Sequence, residues 1–445
     1  MMTRLTLKPF LFEVTTINAM NMKWITRSKI PAARVFSFLG LERGTIAVLA
    51  MVILVGMGEK MAERFLPIYI LALGGGALAI GLLQAMDNLL SALYSFPGGY
   101  LSERIGIKRS LLVFNLVAMG GFALVILIPA WQAVLIGAVF FISWSAISLP
   151  ATMGLIFKVL PHNKRTMGVS MNSLVRRIPM ALGPLIGGLF IGVWGERNGV
   201  RLAFGAAFAM AGVALLLQQR MIEEDNPAAS STSTACDPAP EKNPLKMLQR
   251  MNPSLKGLLV TDIMIRFCEQ IPYAFVVIWC MKAISRPVSA VQFGFLTTVE
   301  MATAMLVYIP VAYLADRSAK KPFVLATFVF FTLFPLVLLY SRSLEWLVLA
   351  FVLRGLKEFG EPTRKALIME LSPENCKAGM FGLYYLIRDV VVAFAAMGGA
   401  FLWLIDPRAN LLTAFAFGLI GTMGYAVMGR DIQVPVNEKR NYIQE

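Results

Sequence analysis

Apolar runs of about 20 residues, the length that crosses a bilayer as a helix, tile nearly the whole chain. Short polar or basic stretches separate them. Read in order, the runs predict about twelve spans. Those of the first half are 45–72, 77–101, 108–128, 131–159, 167–194 and 200–218. Those of the second are 255–282, 288–314, 322–341, 344–369, 378–405 and 409–429. They are called span 1 to span 12 below. The pattern predicts an all-α membrane protein with two six-helix bundles, 43–220 and 254–430. A segment 1–42 precedes the first bundle, a linker 221–253 divides the two, and a tail 431–445 follows. The linker contains E-E-D-N-P-A-A-S-S-T-S-T. Such a composition cannot bury a core and is expected to be flexible. Residues 1–40 are basic and mixed, so no cleavable signal is expected there.

Composition supports this pattern. Apolar residues make up 57% of the 445 residues and charged ones 15%, well away from a soluble globular balance. The net charge of +15 does not point to nucleic acid, because the cations gather in loops. Arg104, Lys108 and Arg109 fall between spans 2 and 3, Lys164 and Arg165 between spans 4 and 5, and Lys242, Lys246, Arg250 and Lys256 near the linker. Arg317, Lys320 and Lys321 fall between spans 8 and 9. With twelve spans all these loops share one side, and Arg342 and Arg408 are among the few exceptions opposite. The positive-inside rule then puts both termini in the cytoplasm, and the plasma membrane is the expected location. The single histidine, His162, lies in a loop, and Cys236, Cys268, Cys280 and Cys376 have no ligand spacing. No metal site and no disulfide framework are expected. The absence of G-x-x-x-x-G-K-[ST] removes support for ATP-driven transport, and no G-x-S-x-G occurs. No cofactor is expected.

The chain also repeats. G-Y-L-S-E-R-I-G-I-K-R at 99–109 returns as A-Y-L-A-D-R-S-A-K-K at 312–321, each between two apolar runs. Glu103 matches Asp316, Arg104 matches Arg317, and Lys108 matches Lys321. Residues 142–188 align without a gap to 354–400, placing Pro150 on Pro362, Pro161 on Pro373, Arg176 on Arg388 and Gly187 on Gly399. This register indicates a duplicated membrane architecture.

The loop pattern, carried by Gly99, Glu103, Arg104, Gly106, Lys108 and Arg109 and again by Asp316, Arg317 and Lys321, resembles the motif joining the second and third helices of the major facilitator superfamily. Glu103 is one methylene longer than that motif's usual Asp. In span 5, P-M-A-L-G-P-L-I-G-G at 179–188 resembles the G-x-x-x-G-P-x-x-G-G motif of the superfamily's exporters. Gly183, Pro184, Gly187 and Gly188 match it, and Pro179 stands where the first glycine would be. Span 4 lacks the arginine that proton-driven drug exporters of the superfamily commonly carry, with Ile142 at the position matching Arg354. The resemblance implies two bundles around a central cavity lined by spans 1, 4, 7 and 10, which rock to expose it to each side in turn. It also implies that the loop motifs gate this motion.

Charges inside the spans mark the candidate site, because a charge at the bilayer centre is costly and usually faces a cavity or a partner. Arg176, Arg177, Arg266, Arg354, Lys357 and Arg388 are the candidate substrate-binding cations. Glu59, Glu63, Asp87, Glu269, Glu300 and Glu358 are the candidate proton-coupling carboxylates, with Glu63 and Glu358 first. In span 10, Arg354–Glu358, Lys357–Glu361 and Glu361–Lys365 stand four apart and are expected to meet on one helix face. Three functions fit. The first is proton-linked export of a small molecule. The second is symport or exchange of an organic anion, favoured by the arginines. The third is a receptor or enzyme on the same scaffold. The partners expected are a small-molecule substrate, the proton and the lipid bilayer, with no nucleic acid, and the chain is expected to act as a monomer.

Overall fold

A computed structural model of the chain describes residues 43–105, 107–141, 165–221, 248–249, 251–316, 319–372 and 377–429. Among these residues every regular element is helical. The segment 1–42, most of span 4, most of the linker, Gly106, Arg317 and the tail lie outside the described residues. So do the side chains of Glu103, Arg104 and Asp316.

In the first half α1 (Arg43–Glu63) and α2 (Leu66–Ala72) together form span 1. They are followed by α3 (Ala77–Ile105), α4 (Ile107–Leu127), α5 (Trp131–Phe141) and α6 (Arg165–Met221). In the second half α7 (Pro253–Tyr273), α8 (Val276–Ile278) and a π-helical turn at Trp279–Ala283 form span 7. After α9 (Ala290–Asp316) and α10 (Lys321–Tyr340), span 10 is split into α11 (Leu344–Leu356) and α12 (Glu361–Leu371). Then follow α13 (Lys377–Ile405) and α14 (Pro407–Met428). Among the described residues six helices are long and apolar enough to cross a membrane, and seven if the bent pair in span 7 counts as one span. One of the six runs 46 residues, from Val175 to Arg220. A helix that long would measure about twice the thickness of a bilayer core. It does not run straight, because Gly195 takes a φ of 77° and breaks it between spans 5 and 6. That left-handed conformation suits glycine, which has no Cβ to clash.

The sequence reading treats spans 1, 7 and 10 as continuous; each is broken in the structure near a proline. A proline has no N–H to donate back along the helix, and its ring crowds the turn before it. Pro67 stands at the start of α2, after the break at Arg64 and Phe65. Pro272 lies one residue before the end of α7, after which the span bends by 45°. Pro362 stands at the start of α12, after the turn at 357–360. Broken spans of this kind are where membrane transporters build binding sites, because unwound backbone is tolerated only beside a cavity or buried in protein.

The two halves meet along two seams. α6 packs along α9, and α3 packs along α13. Small residues permit this close approach. A Cβ added to Gly188 would meet the Ala290 carbonyl, one added to Gly294 would meet the Pro184 carbonyl, and one added to Gly81 would meet Ala400. The Thr298 hydroxyl donates to the Ala181 carbonyl across the first seam at 2.8 Å. Lys282 pairs with Glu196 at 2.8 Å, a further contact between the halves. Within the first half, Gly187 lets α6 lie against span 1, because a Cβ there would strike the Met61 carbonyl oxygen. Gly187→Ala is therefore expected to lower stability by about 1–3 kcal/mol, the usual cost of overpacking. Thermal unfolding in lipid nanodiscs checks this. An unchanged midpoint would mean that span 1 has slack against span 5.

The basic loops close onto helix ends. Lys108 donates to the Gln219 carbonyl at 3.1 Å, and Lys321 donates to the Ala426 carbonyl at 2.9 Å. Each places a cation at the C-terminal end of the last helix of its own half, where unpaired carbonyls and the helix dipole favour positive charge. The duplicated lysines thus do the same job twice.

Candidate functional site

The second half carries a chain of alternating charges. Glu300, fully buried on α9, lies 3.3 Å from Arg354 and 3.5 Å from Lys357. Lys357 also reaches Glu269 at 2.9 Å, and Glu269 pairs with Arg266 at 2.6 Å. Arg266 extends to Glu361 at 3.5 Å, and Glu361 holds Arg364 at 2.6 Å. Arg364 pairs with Asp262, which also accepts from the Tyr384 hydroxyl at 3.0 Å. Arg388 closes the chain, 3.6 Å from Asp262 and 2.7 Å from Asp389. A buried charge is tolerable only when paired and hydrogen-bonded, and this network pairs each member with an opposite charge.

Rings hold several of these cations. Arg354 lies within 5.1 to 5.7 Å of the centres of Tyr273, Phe334 and Phe351. Arg388 sits 4.2 Å from the ring centre of Tyr385. Contacts of this kind add cation–π attraction where water is scarce.

The first half contributes a smaller set. Lys60 pairs with Glu63, and Glu59 lies 3.4 Å from Lys60. Asp87 accepts from the Gln84 amide at 3.3 Å. Two polar contacts cross between the halves here. Arg177 pairs with Glu358 at 3.0 Å, and the Asn88 amide donates to Gln270 at 3.2 Å. Arg64, in the break of span 1, lies 5.1 Å from the ring centre of Tyr273, in the break of span 7.

A cavity of about 40 Å³ opens at these breaks, between the halves. Glu63, Arg64, Gln84 and Asp87 line it from the first half, and Tyr273 and Arg354 from the second. That is room for about three waters. A smaller cavity of about 10 Å³ adjoins Glu269, Arg354 and Lys357.

The sequence-predicted residues fall into this picture unevenly. Arg266, Glu269, Glu300, Arg354, Lys357 and Arg388 join the one network, and Glu63 and Asp87 line the cavity. Glu358 and Arg177 bridge the halves. Arg176 is half-buried on α6, beside Arg177. The expected pairs along span 10 hold only for Glu361 and Lys365, 3.6 Å apart. Arg354, Lys357 and Glu358 turn instead to α9, α7 and α6, because the break at 357–360 takes them out of helical register. Cys268 and Cys280 are buried, unbridged thiols. Sequence reasoning did not select Arg64, Tyr273, Asp262, Glu361 or Arg364 as site residues. Pro67, Pro272 and Pro362, which break the spans at this level, were the available signal for Arg64, Tyr273 and Glu361.

Comparison with known proteins agrees with the architecture. The chain is 22% identical over 386 residues to an uncharacterized MFS-type transporter of Methanocaldococcus jannaschii, covering 82% of this chain and 89% of that one. It is 26% identical over 145 residues to the uncharacterized MFS-type transporter YfkF of Bacillus subtilis, covering 32% of this chain and 37% of that one. Among solved structures, the nucleoside transporter NupG superposes with a TM-score of 0.73 at 11% identity, over 87% of this chain and 100% of that one. The peptide transporter POT in complex with alafosfalin superposes with a TM-score of 0.69 at 15% identity, over 87% of this chain and 95% of that one. Both likenesses speak to the fold. The family model described as Major Facilitator Superfamily matches residues 48–285 and again 258–441, two overlapping matches that together cover both halves. A chain matched over nearly its whole length in this way, with the fold to go with it, belongs to the major facilitator superfamily.

Proposed function

We propose that this multi-pass membrane protein is a proton-linked secondary transporter that exports a small molecule by alternating access. As a member of a transporter family it is not an enzyme. The observation that carries the proposal is the cavity between the halves, at the level where spans 1, 7 and 10 all break. Ionisable groups from both halves line it. A bundle built only for stability needs no such interior. Proton linkage is supported by the carboxylates inside the spans, Glu59 and Glu300 buried and Glu63, Asp87, Glu269 and Glu358 half-buried. The export direction rests on the span 5 motif. Its glycines seat α6 against Lys60, Met61 and Ala290, which are parts of both halves. The chain acts as a monomer in the plasma membrane, with both termini in the cytoplasm.

The organic-anion reading has weaker support. Arg177, Arg266, Arg354 and Arg388 each have a carboxylate within ion-pair distance, so they offer little uncompensated positive charge. Accumulation assays test export. Cells lacking the protein should retain more of a transported compound than cells expressing it, and a protonophore should erase the difference. Equal accumulation across a panel of charged and neutral compounds would refute export.

The loop motifs are proposed to act on the cycle and not on substrate choice, since Lys108 and Lys321 bind helix ends away from the cavity. Glu103→Gln and Asp316→Asn are expected to slow turnover while substrate affinity stays within about twofold, as a change that spares binding should. Equal loss of affinity and turnover in folded protein would contradict this.

A further inference from the structure

We propose that the cavity between spans 1, 2 and 7 binds a zwitterion, with its anionic group on Arg64 and its cationic group on Asp87. The proposal rests on the transporter reading above and names the substrate class of the same site. It comes from charge matching around the cavity wall. Glu63 is matched by Lys60, and Arg354 by Glu300. Arg64 and Asp87 are different. Both line the cavity. Among the described residues no carboxylate lies within ion-pair distance of Arg64, and no cation within that distance of Asp87. In direct contact Arg64 has the Tyr273 ring and Asp87 the Gln84 amide, while Glu300, Glu63 and Glu269 act on Arg64, and Lys60 on Asp87, only from beyond ion-pair distance.

The two sites are complementary in kind. A guanidinium against a ring face still has five N–H donors and suits a carboxylate or phosphate. The Asp87 carboxylate has acceptor capacity beyond the single amide and suits an ammonium group. Tyr273 steadies the cation, since both Arg64 and Arg354 lie within 5.4 Å of its ring centre. An anion alone would leave Asp87 without a counter-charge in direct contact, and a cation alone would leave Arg64 without one. A neutral solute would leave both. A ligand carrying both charges contacts both groups at once, and a charge without a contacting partner in a desolvated site is penalised. With room for about three waters as it stands, the cavity must widen to admit such a ligand, which the rocking of the halves provides.

The test is equilibrium binding to purified protein in nanodiscs without any gradient. The probes are glycine, β-alanine, 4-aminobutyrate, L-alanyl-L-alanine and 6-aminohexanoate, a series of increasing charge separation. Each is compared with its N-acetyl and carboxamide derivatives, which lack one charge. One or more of the series should bind, and each of its singly charged derivatives should bind at least about tenfold more weakly. In Arg64→Gln the carboxamide should bind as well as the acid, and in Asp87→Asn the N-acetyl form should bind as well as the amine. The ligand-side comparison needs only the native protein, so a variant that fails to fold does not rescue the idea. Binding of singly charged forms as tight as the zwitterion overturns it, and so does binding by no member of the series. Transport is scored apart. If only singly charged compounds move with the gradient, the zwitterion assignment fails and the transporter reading stands. If a zwitterion binds with the expected charge dependence and no compound crosses, the transporter reading fails instead.

Discussion

Asp262→Asn is expected to lower the stability of the second half by about 3–5 kcal/mol, the range measured when a buried ion pair loses one partner. Asp262 is fully buried and serves three partners at once. They are Arg364, itself only 1% exposed, the Tyr384 hydroxyl, and Arg388. Asparagine keeps the volume and can still accept from Tyr384. It removes the charge, leaving two buried guanidiniums to share Glu361 and Asp389. Thermal unfolding in nanodiscs reads the loss. Adding Arg364→Met to the same protein should recover part of it, because the double variant no longer buries an orphaned cation. A single variant that melts with the parent would mean that Glu361 and Asp389 already neutralise the cluster.

Glu358→Gln is expected to reduce gradient-driven transport by about tenfold or more, in line with coupling energies of a few kcal/mol, while exchange of substrate across the membrane persists. The reason is geometric. The Arg177–Glu358 pair joins α6 of the first half to the turn between α11 and α12 in the second. If the halves rock, this pair is strained or broken in one state and restored in the other. A carboxylate that gains and loses a guanidinium changes its proton affinity with it. Exchange needs no net proton movement, so it survives. Loss of both activities in folded protein would place Glu358 in substrate binding and not in coupling. Retention of both there, and at the other five candidate carboxylates, would remove coupling from this set.

The architecture was legible because bilayer thickness fixes the length of an apolar run, and because duplication repeats its punctuation. Pro150 on Pro362 and Lys108 on Lys321 are matches that chance apolar similarity rarely yields. Partner choice was less legible. Spacing along span 10 suggested Arg354 with Glu358, but the turn at 357–360 sends the first to Glu300 and the second to Arg177. Helical periodicity carries no information across such a break. The duplication also set Arg176 and Arg388 as equivalents. In the structure Arg388 is held between Asp262 and Asp389, acids that belong to the second half. The role of Arg64 is another case. In the sequence it stands one residue from Glu63, which invites a local pairing, whereas Glu63 turns to Lys60 and Arg64 to the ring of Tyr273.

Proton-linked movement of a solute through the cavity between the halves can be measured in a reconstituted system. Proteoliposomes containing a lumenal pH dye test it most directly, with zwitterionic, anionic, cationic and neutral compounds added outside one at a time. At least one compound is expected to enter and to make the lumen more alkaline as protons leave in exchange. With Glu358→Gln the pH change should vanish, while entry into vesicles preloaded with the same compound remains by exchange. Entry with no pH change in the native protein, or no entry of any compound beyond that into protein-free vesicles, would contradict the account.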